Sequence, residues 1–267
     1  MHALRWRYGD QLEWSLVTIG LTESAAQYEE RGYSPALMAM TPLRFSRFGM
    51  PFAIAPRSRV IGTGRACRAI VAARTLDPEL GRLALRALHF AWFTTDLLLD
   101  EDEAIATALA RVPGLDVTDV VEGLDDPELE TAYQRDRELA RSAAGSPASL
   151  QGKTATTDGA ERFTAPTLVL EHDGDRVVAG GHQPLAAYDV LVANLDPSLH
   201  CEPVPDEPLP LLERFPYGLA TREVSTMLAR RNDEPDDDDA LAALIQLVAE
   251  GRATREPLGN DALWRPA

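Results

Sequence analysis

The stretch from Thr164 to Leu195 limits this chain more than any other. Ala165-Pro166 precedes the apolar run Thr167 to Leu170, His172-Asp173-Gly174-Asp175 reads as a turn, and Arg176 to Ala179 reads as a second short strand. Gly180-Gly181 ends that strand. Pro184 then stands where a first helical residue belongs, ahead of the spacing Leu185, Tyr188, Leu191, Val192, Leu195. Two strands joined by a tight turn and followed at once by a helix predict a mixed α/β architecture.

Upstream, Leu4 to Tyr8 closed by Gly9-Asp10 reads as the end of a helix, and Leu12-Trp14-Leu16-Thr18 alternates as a strand. From Gly20 to Gly62 the chain is irregular and rich in Gly, Pro, Met and aromatic residues. Met38, Met40 and Met50 with Phe45, Phe48 and Phe52 are expected either to line an apolar pocket or to cover the core as a lid. Helical spacing then dominates from about 64 to 143, through Arg65 to Ala73, Pro78 to Leu99, Glu101 to Val112, Val117 to Val121 and Asp126 to Ala143, read as about four helices. Ala144 to Glu161 has the composition of a flexible linker.

Beyond the proline-rich stretch Pro203 to Pro210, Thr221 to Leu228 and Asp237 to Glu250 read as helices, and Gly251 to Trp264 as a hairpin turning at Gly259-Asn260. Residues 211–267 are thus a small helix-helix-hairpin module, winged-helix-like in order. Its expected core is Leu219, Val224, Leu228, Leu241, Leu244, Ile245, Val248 and Trp264. A unit of this size is marginal alone and is expected to dock on the rest of the chain. The run Asp236 to Asp239 opens its second helix, where a DNA reader needs Arg or Lys, so nucleic acid is not an expected partner.

The order proline, strand, turn, strand, Gly-Gly, helix, preceded by a helical block, resembles the thioredoxin-like fold of DsbA-like proteins and of their relatives, the kappa-class glutathione transferases and the 2-hydroxychromene-2-carboxylate isomerases. Trp14 to Leu21, Ala66-Cys67-Arg68-Ala69, Leu88 to Asp96 and Ala165 to Gly181 carry the resemblance, over roughly residues 1–200. It implies a thioredoxin-like fold with an all-helical insertion. It also implies that Pro166 is a cis-proline presenting a backbone edge rather than an ordinary trans proline opening an edge strand, so that Ala165 and Pro166 are the substrate-binding positions. On the same resemblance the helix Leu4 to Tyr8 is the first of the fold, and the strand and active-site turn that should precede it either lie upstream of Met1 or have been lost.

The family's redox motif is absent. The only two cysteines, Cys67 and Cys201, are far apart in sequence, and no Cys-x-x-Cys occurs. Cys67 near a helix start could have a depressed pKa, but it falls in register with Ile70 and Val71 and reads as structural. His89 reads as packed or solvent-tipped, and His172 and His182 lack a third ligand for a metal. No catalytic residue is assigned. The expected function is therefore that of a DsbA-like protein of thiol-disulfide oxidoreductase ancestry, inactive as given, with no cofactor and a protein or peptide thiol as partner. The alternatives are an isomerase or transferase of the same fold, using glutathione and a small hydrophobic substrate, and a non-catalytic binding or assembly protein.

Twenty-six basic against 42 acidic residues give a net charge of −16, which argues against polyanion surfaces as partners. No run of about 18 apolar residues occurs. Met1 to Arg7 lacks the apolar core of a signal peptide, so a cytoplasmic location without membrane contact is expected.

Overall fold

The computed structural model describes residues 1–157, 159–230 and 233–267. About half of the chain is helical, with thirteen α-helices and three small antiparallel sheets among the described residues, so the architecture is mixed α/β. The chain divides into two compact units. One comprises Met1–Glu13, Ala143–Ala155 and Glu161–Ala267, and the other Trp14–Ser142 with Thr156–Ala160. None of the described helices is long and apolar enough to cross a membrane.

The second unit is built on five helices where the spacing suggested about four: Gly64–Leu76, Pro78–Thr94, Asp102–Leu109, Val117–Glu122 and Pro127–Ala140. Local chemistry sets their starts. Asp77, Asp116 and Asp126 each accept backbone N–H bonds as N-caps, and Pro78 and Pro127 occupy the first helical position, where a missing N–H costs nothing. Ile70, Val71, Leu88, Ile105, Leu109, Leu124 and Tyr133 meet in one buried core. Each large side chain so buried is worth about 1.5–3 kcal/mol.

Two expectations for this unit need correction. Leu12 to Thr18 forms no strand. Instead of ladder partners, its backbone meets side chains: Asp136 accepts from the Thr18 N–H at 2.7 Å, Arg74 donates to the Leu16 carbonyl, and Arg141 donates to the carbonyls of Ile19 and Gly20. The stretch from Gly20 to Gly62 is not wholly irregular either. It contains the short helices Ala25–Glu30 and Pro35–Met40 and a 3₁₀ segment, Thr41–Phe48.

In the first unit the hairpin forms as the sequence indicates, with Thr167–His172 antiparallel to Asp175–Gly180 and His172 opposite Asp175. Asp173 and Gly174 both take positive φ, the type I′ geometry whose twist suits a two-residue hairpin. The helix after it is Leu185–Leu195, with Pro184 just outside as the N-cap, and it buries Tyr188 and Val192. The linker expected between 144 and 161 is ordered for most of its length: a short helix, Pro147–Leu150, leads into Thr154–Ala155, which pairs with Arg162–Phe163. Glu161 ties this turn together by accepting from Ser149 and Thr154, each at 2.6 Å. Asp158 lies outside the described residues.

At the C-terminal end of this unit, Leu209–Arg214 and Leu219–Ala220 precede the expected helices Thr221–Leu228 and Asp237–Ala249. The closing hairpin, Ala253–Leu258 with Asp261–Pro266, turns at Gly259-Asn260, and its second strand sits centrally between Ala253–Leu258 and Leu219–Ala220. Leu219, Val224, Leu244 and Trp264 enter the core as anticipated, whereas Leu241, Ile245 and Val248 are exposed. Leu211, Leu212, Phe215 and Leu247 complete that core, which Ala3 joins and against which Trp6 and Leu185 pack.

Candidate functional site

Residues next to a two-residue turn form a hydrogen-bonded pair, and pairing then alternates along the hairpin. His172, Leu170 and Leu168 therefore exchange bonds with the partner strand, while Thr167, Val169 and Glu171 direct their N–H and C=O groups to the other edge. Among the described residues, Asp175–Gly180 is the only strand paired with Thr167–His172. No side chain of Thr167–His172 is buried, so this strand offers both an open edge and an accessible face.

The sequence-predicted residues lie at the start of that strand. The Ala165-Pro166 peptide is cis, and both residues are exposed. Their position is fixed from both sides. Thr164 donates its N–H and its hydroxyl to the Lys153 carbonyl, at 3.3 and 2.8 Å. The Thr167 hydroxyl donates to the Thr164 carbonyl at 2.6 Å and accepts from the Gly181 N–H at 3.3 Å. Glycine at 180 permits close packing here, since a Cβ would stand 2.7 Å from that of Ala148. Second-strand residues Val178 and Ala179 are correspondingly buried.

Both cysteines are free thiols, and they belong to different units. Cys67 lies in the second unit, half-buried against the helical core, and burial pushes its thiol up to about 11 despite a backbone hydrogen bond from Gly20. Desolvation outweighs that hydrogen bond. Cys201 is exposed, with its Sγ 3.8 Å from the Glu202 carbonyl.

A direct expectation follows for a Cys201→Ser background. A thiol pushed up to about 11 holds about 100-fold less thiolate at neutral pH than an ordinary cysteine, partly offset by the greater nucleophilicity of a more basic thiolate. Cys67 should react with a disulfide reagent about tenfold more slowly in the folded protein than in urea-unfolded chain. Equal rates would show that Cys67 is an activated thiol.

The second unit carries a polar cluster that the sequence did not reveal. Glu23 accepts from Tyr133 at 2.8 Å and pairs with Arg68 and Arg137 at 3.0 Å, while Arg68 also holds Glu130 at 2.7 Å and lies over the Tyr133 ring. Burial, with Glu23 adjacent, raises the Tyr133 phenol above its ordinary range. An open cavity of about 340 Å³ is lined by Glu23, Arg65, Arg68, Leu124, Asp125 and Glu130. Its arginines are occupied, Arg65 by Asp102 and Asp125 and Arg68 by Glu23 and Glu130, and these bonds hold the Asp102 and Glu130 carboxyls below their usual range. The result is a neutralised network rather than a free anion site. Its members are scattered along the chain, and no local spacing announces them.

His89 is exposed on its helix, and His172 lies 3.6 Å from Asp173 and 3.8 Å from Asp196 at the hairpin turn. Among the described residues, no three or more His, Cys, Asp or Glu side chains are arranged to hold a metal ion. The Met and Phe residues of 38–52 do not share one environment: Met38 is buried, Met40, Phe45 and Phe48 are exposed, and Phe45 stacks on Phe48 and meets Phe93 edge to ring. Comparison with protein-family models and with curated proteins finds no match for this chain.

Proposed function

We propose that the chain is a non-catalytic binding protein of DsbA-like, thioredoxin-fold descent with a winged-helix-like C-terminal module, and that it takes an extended peptide along Thr167–His172 beside Ala165 and Pro166. The observation that carries this reading is the unpaired edge at Thr167, Val169 and Glu171. An added strand there would satisfy three outward N–H and three outward C=O groups, with main-chain bonds giving affinity and side chains of alternate residues giving selectivity. The proline-strand-turn-strand-helix order supports the ancestry. The raised thiol pKa of Cys67 and the lone, exposed Cys201 support binding without thiol exchange.

Proline substitution tests this reading with little effect on the hairpin. The Val169 N–H points away from the partner strand, so Val169→Pro deletes an outward donor while leaving the ladder to Asp175–Gly180 in place. The variant should keep the circular dichroism spectrum of the parent, lose binding to extended peptides in fluorescence anisotropy, and share with it an absence of insulin-reducing activity. Unchanged peptide binding in Val169→Pro would rule out the open edge. Turnover abolished by Cys67→Ser would replace this reading with a catalytic one.

A further inference from the structure

The chain carries two exposed apolar surfaces of opposite charge. On Asp237–Ala249, Ala240, Leu244 and Leu247 face the core, leaving Leu241, Ile245 and Val248 as a solvent-facing row at i, i+4, i+7, with Ile245 54% exposed. Asp238, also exposed, lies one turn before Leu241 on the same face. In the other unit, Leu37, Met40, Leu43 and Phe45 are exposed along Pro35–Phe48, with Met40 at 62%. The Arg44 and Arg47 guanidinium groups, also exposed, lie 4.9 and 5.0 Å from the centroids of Phe45 and Phe48.

We propose that these surfaces are the two halves of one interface between copies of this chain: the Leu241–Ile245–Val248 row of one copy receives the Pro35–Phe48 segment of a second. Charge selects this pairing. Joining like surfaces would set Arg44 and Arg47 against their own copies, or Asp238 against its own, whereas the mixed pairing sets guanidinium groups against a carboxylate at the edge of an apolar centre. The net charge of −16 opposes close approach, but it is screened over about 8 Å at physiological ionic strength, so contact pairs dominate. Rows this short bury less than the roughly 800 Å² per partner of a stable interface, so the association is weak and concentration-dependent. Because the two halves differ, each added copy leaves one surface of each kind unused, and growth proceeds as an open chain or closes as a ring.

Sedimentation velocity over a concentration series is the test, using the full chain and two variants altered only at exposed positions. Wild type should show a weight-average mass that rises with concentration past that of a dimer. R44E/R47E, with its acidic row intact, and D238N/I245N, with its basic segment intact, should each remain monomeric and keep the parent's circular dichroism. Mixed together, they should form a dimer of one copy of each that grows no further, since each supplies the half the other lacks. A wild type that stays monomeric, single variants that assemble as it does, or a mixture that stays monomeric while wild type assembles would each overturn the proposal. So would a monomeric wild type that co-sediments with phosphatidylserine vesicles through Arg44 and Arg47, because the basic segment would then be a lipid contact.

Discussion

Replacing Asp136 by alanine is expected to cost about 3–5 kcal/mol, the range for breaking a buried ion pair by removing one partner. Asp136 is buried and accepts from the Thr18 N–H at 2.7 Å, from the Thr18 hydroxyl at 2.9 Å and from Arg74 at 2.9 Å. Alanine would leave a buried amide, a buried hydroxyl and a guanidinium without their acceptor. Asp136→Asn retains one acceptor oxygen for Thr18 and loses the charge, so its cost should be smaller. Urea unfolding of the two variants separates the contributions. A loss below about 1 kcal/mol for the alanine variant would mean that water replaces the carboxylate and that the network does not hold residues 14–20 in place.

Trp264→Ala should cost a similar amount, about 3–5 kcal/mol, through the cavity it leaves. Trp264 is 1% exposed, its indole N–H donates to the Thr221 hydroxyl at 3.0 Å, and that hydroxyl donates to Asp261 at 2.6 Å. The side chain thus fills the centre of the C-terminal core and also fixes the start of Thr221–Leu228 against the closing hairpin. Trp264→Phe keeps most of the volume and loses only the donor, so about 1 kcal/mol is expected for it. Hydrogen exchange gives the location: the alanine variant should lose protection throughout Ala253–Leu258 and Asp261–Pro266. Protection retained there would show that the hairpin does not depend on this core.

What could be read in the sequence was local. Asp173-Gly174 gave the hairpin turn because both positions need positive φ, and Pro78 and Asp126 marked helix starts because a donor-free first residue and a capping side chain suit them. Leu12 to Thr18 misled for the opposite reason. Its alternation matches a strand, yet the partners of the following backbone groups are side chains 58 to 122 positions away, which no window can contain. The helix Asp237–Ala249 misled differently. It is apolar on most of its circumference, so periodicity placed Leu241, Ile245 and Val248 in the core as readily as Leu244 and Leu247.

The candidate site was legible to the same extent. Ala165 and Pro166 were singled out only through the family resemblance, whereas the outward groups of Val169 and Glu171 follow from the turn length that Asp173-Gly174 sets. The Glu23, Arg68 and Tyr133 cluster was not legible, because each residue in it looks like an ordinary surface group until the helices are packed. Ala144 to Glu161 misled by composition alone, since Glu161 binding Ser149 and Thr154 orders a stretch that small polar residues suggest is loose.

The most direct test of peptide binding without thiol chemistry is an amide-resolved NMR titration of the Cys67→Ser/Cys201→Ser double variant with an extended peptide. The predicted result is saturable shifts, and slowed exchange, at the outward amides of Thr167, Val169 and Glu171, with the inward amides of Leu168 and Leu170 moving far less. Shifts absent from this strand, or binding lost once both cysteines are gone, would contradict the account.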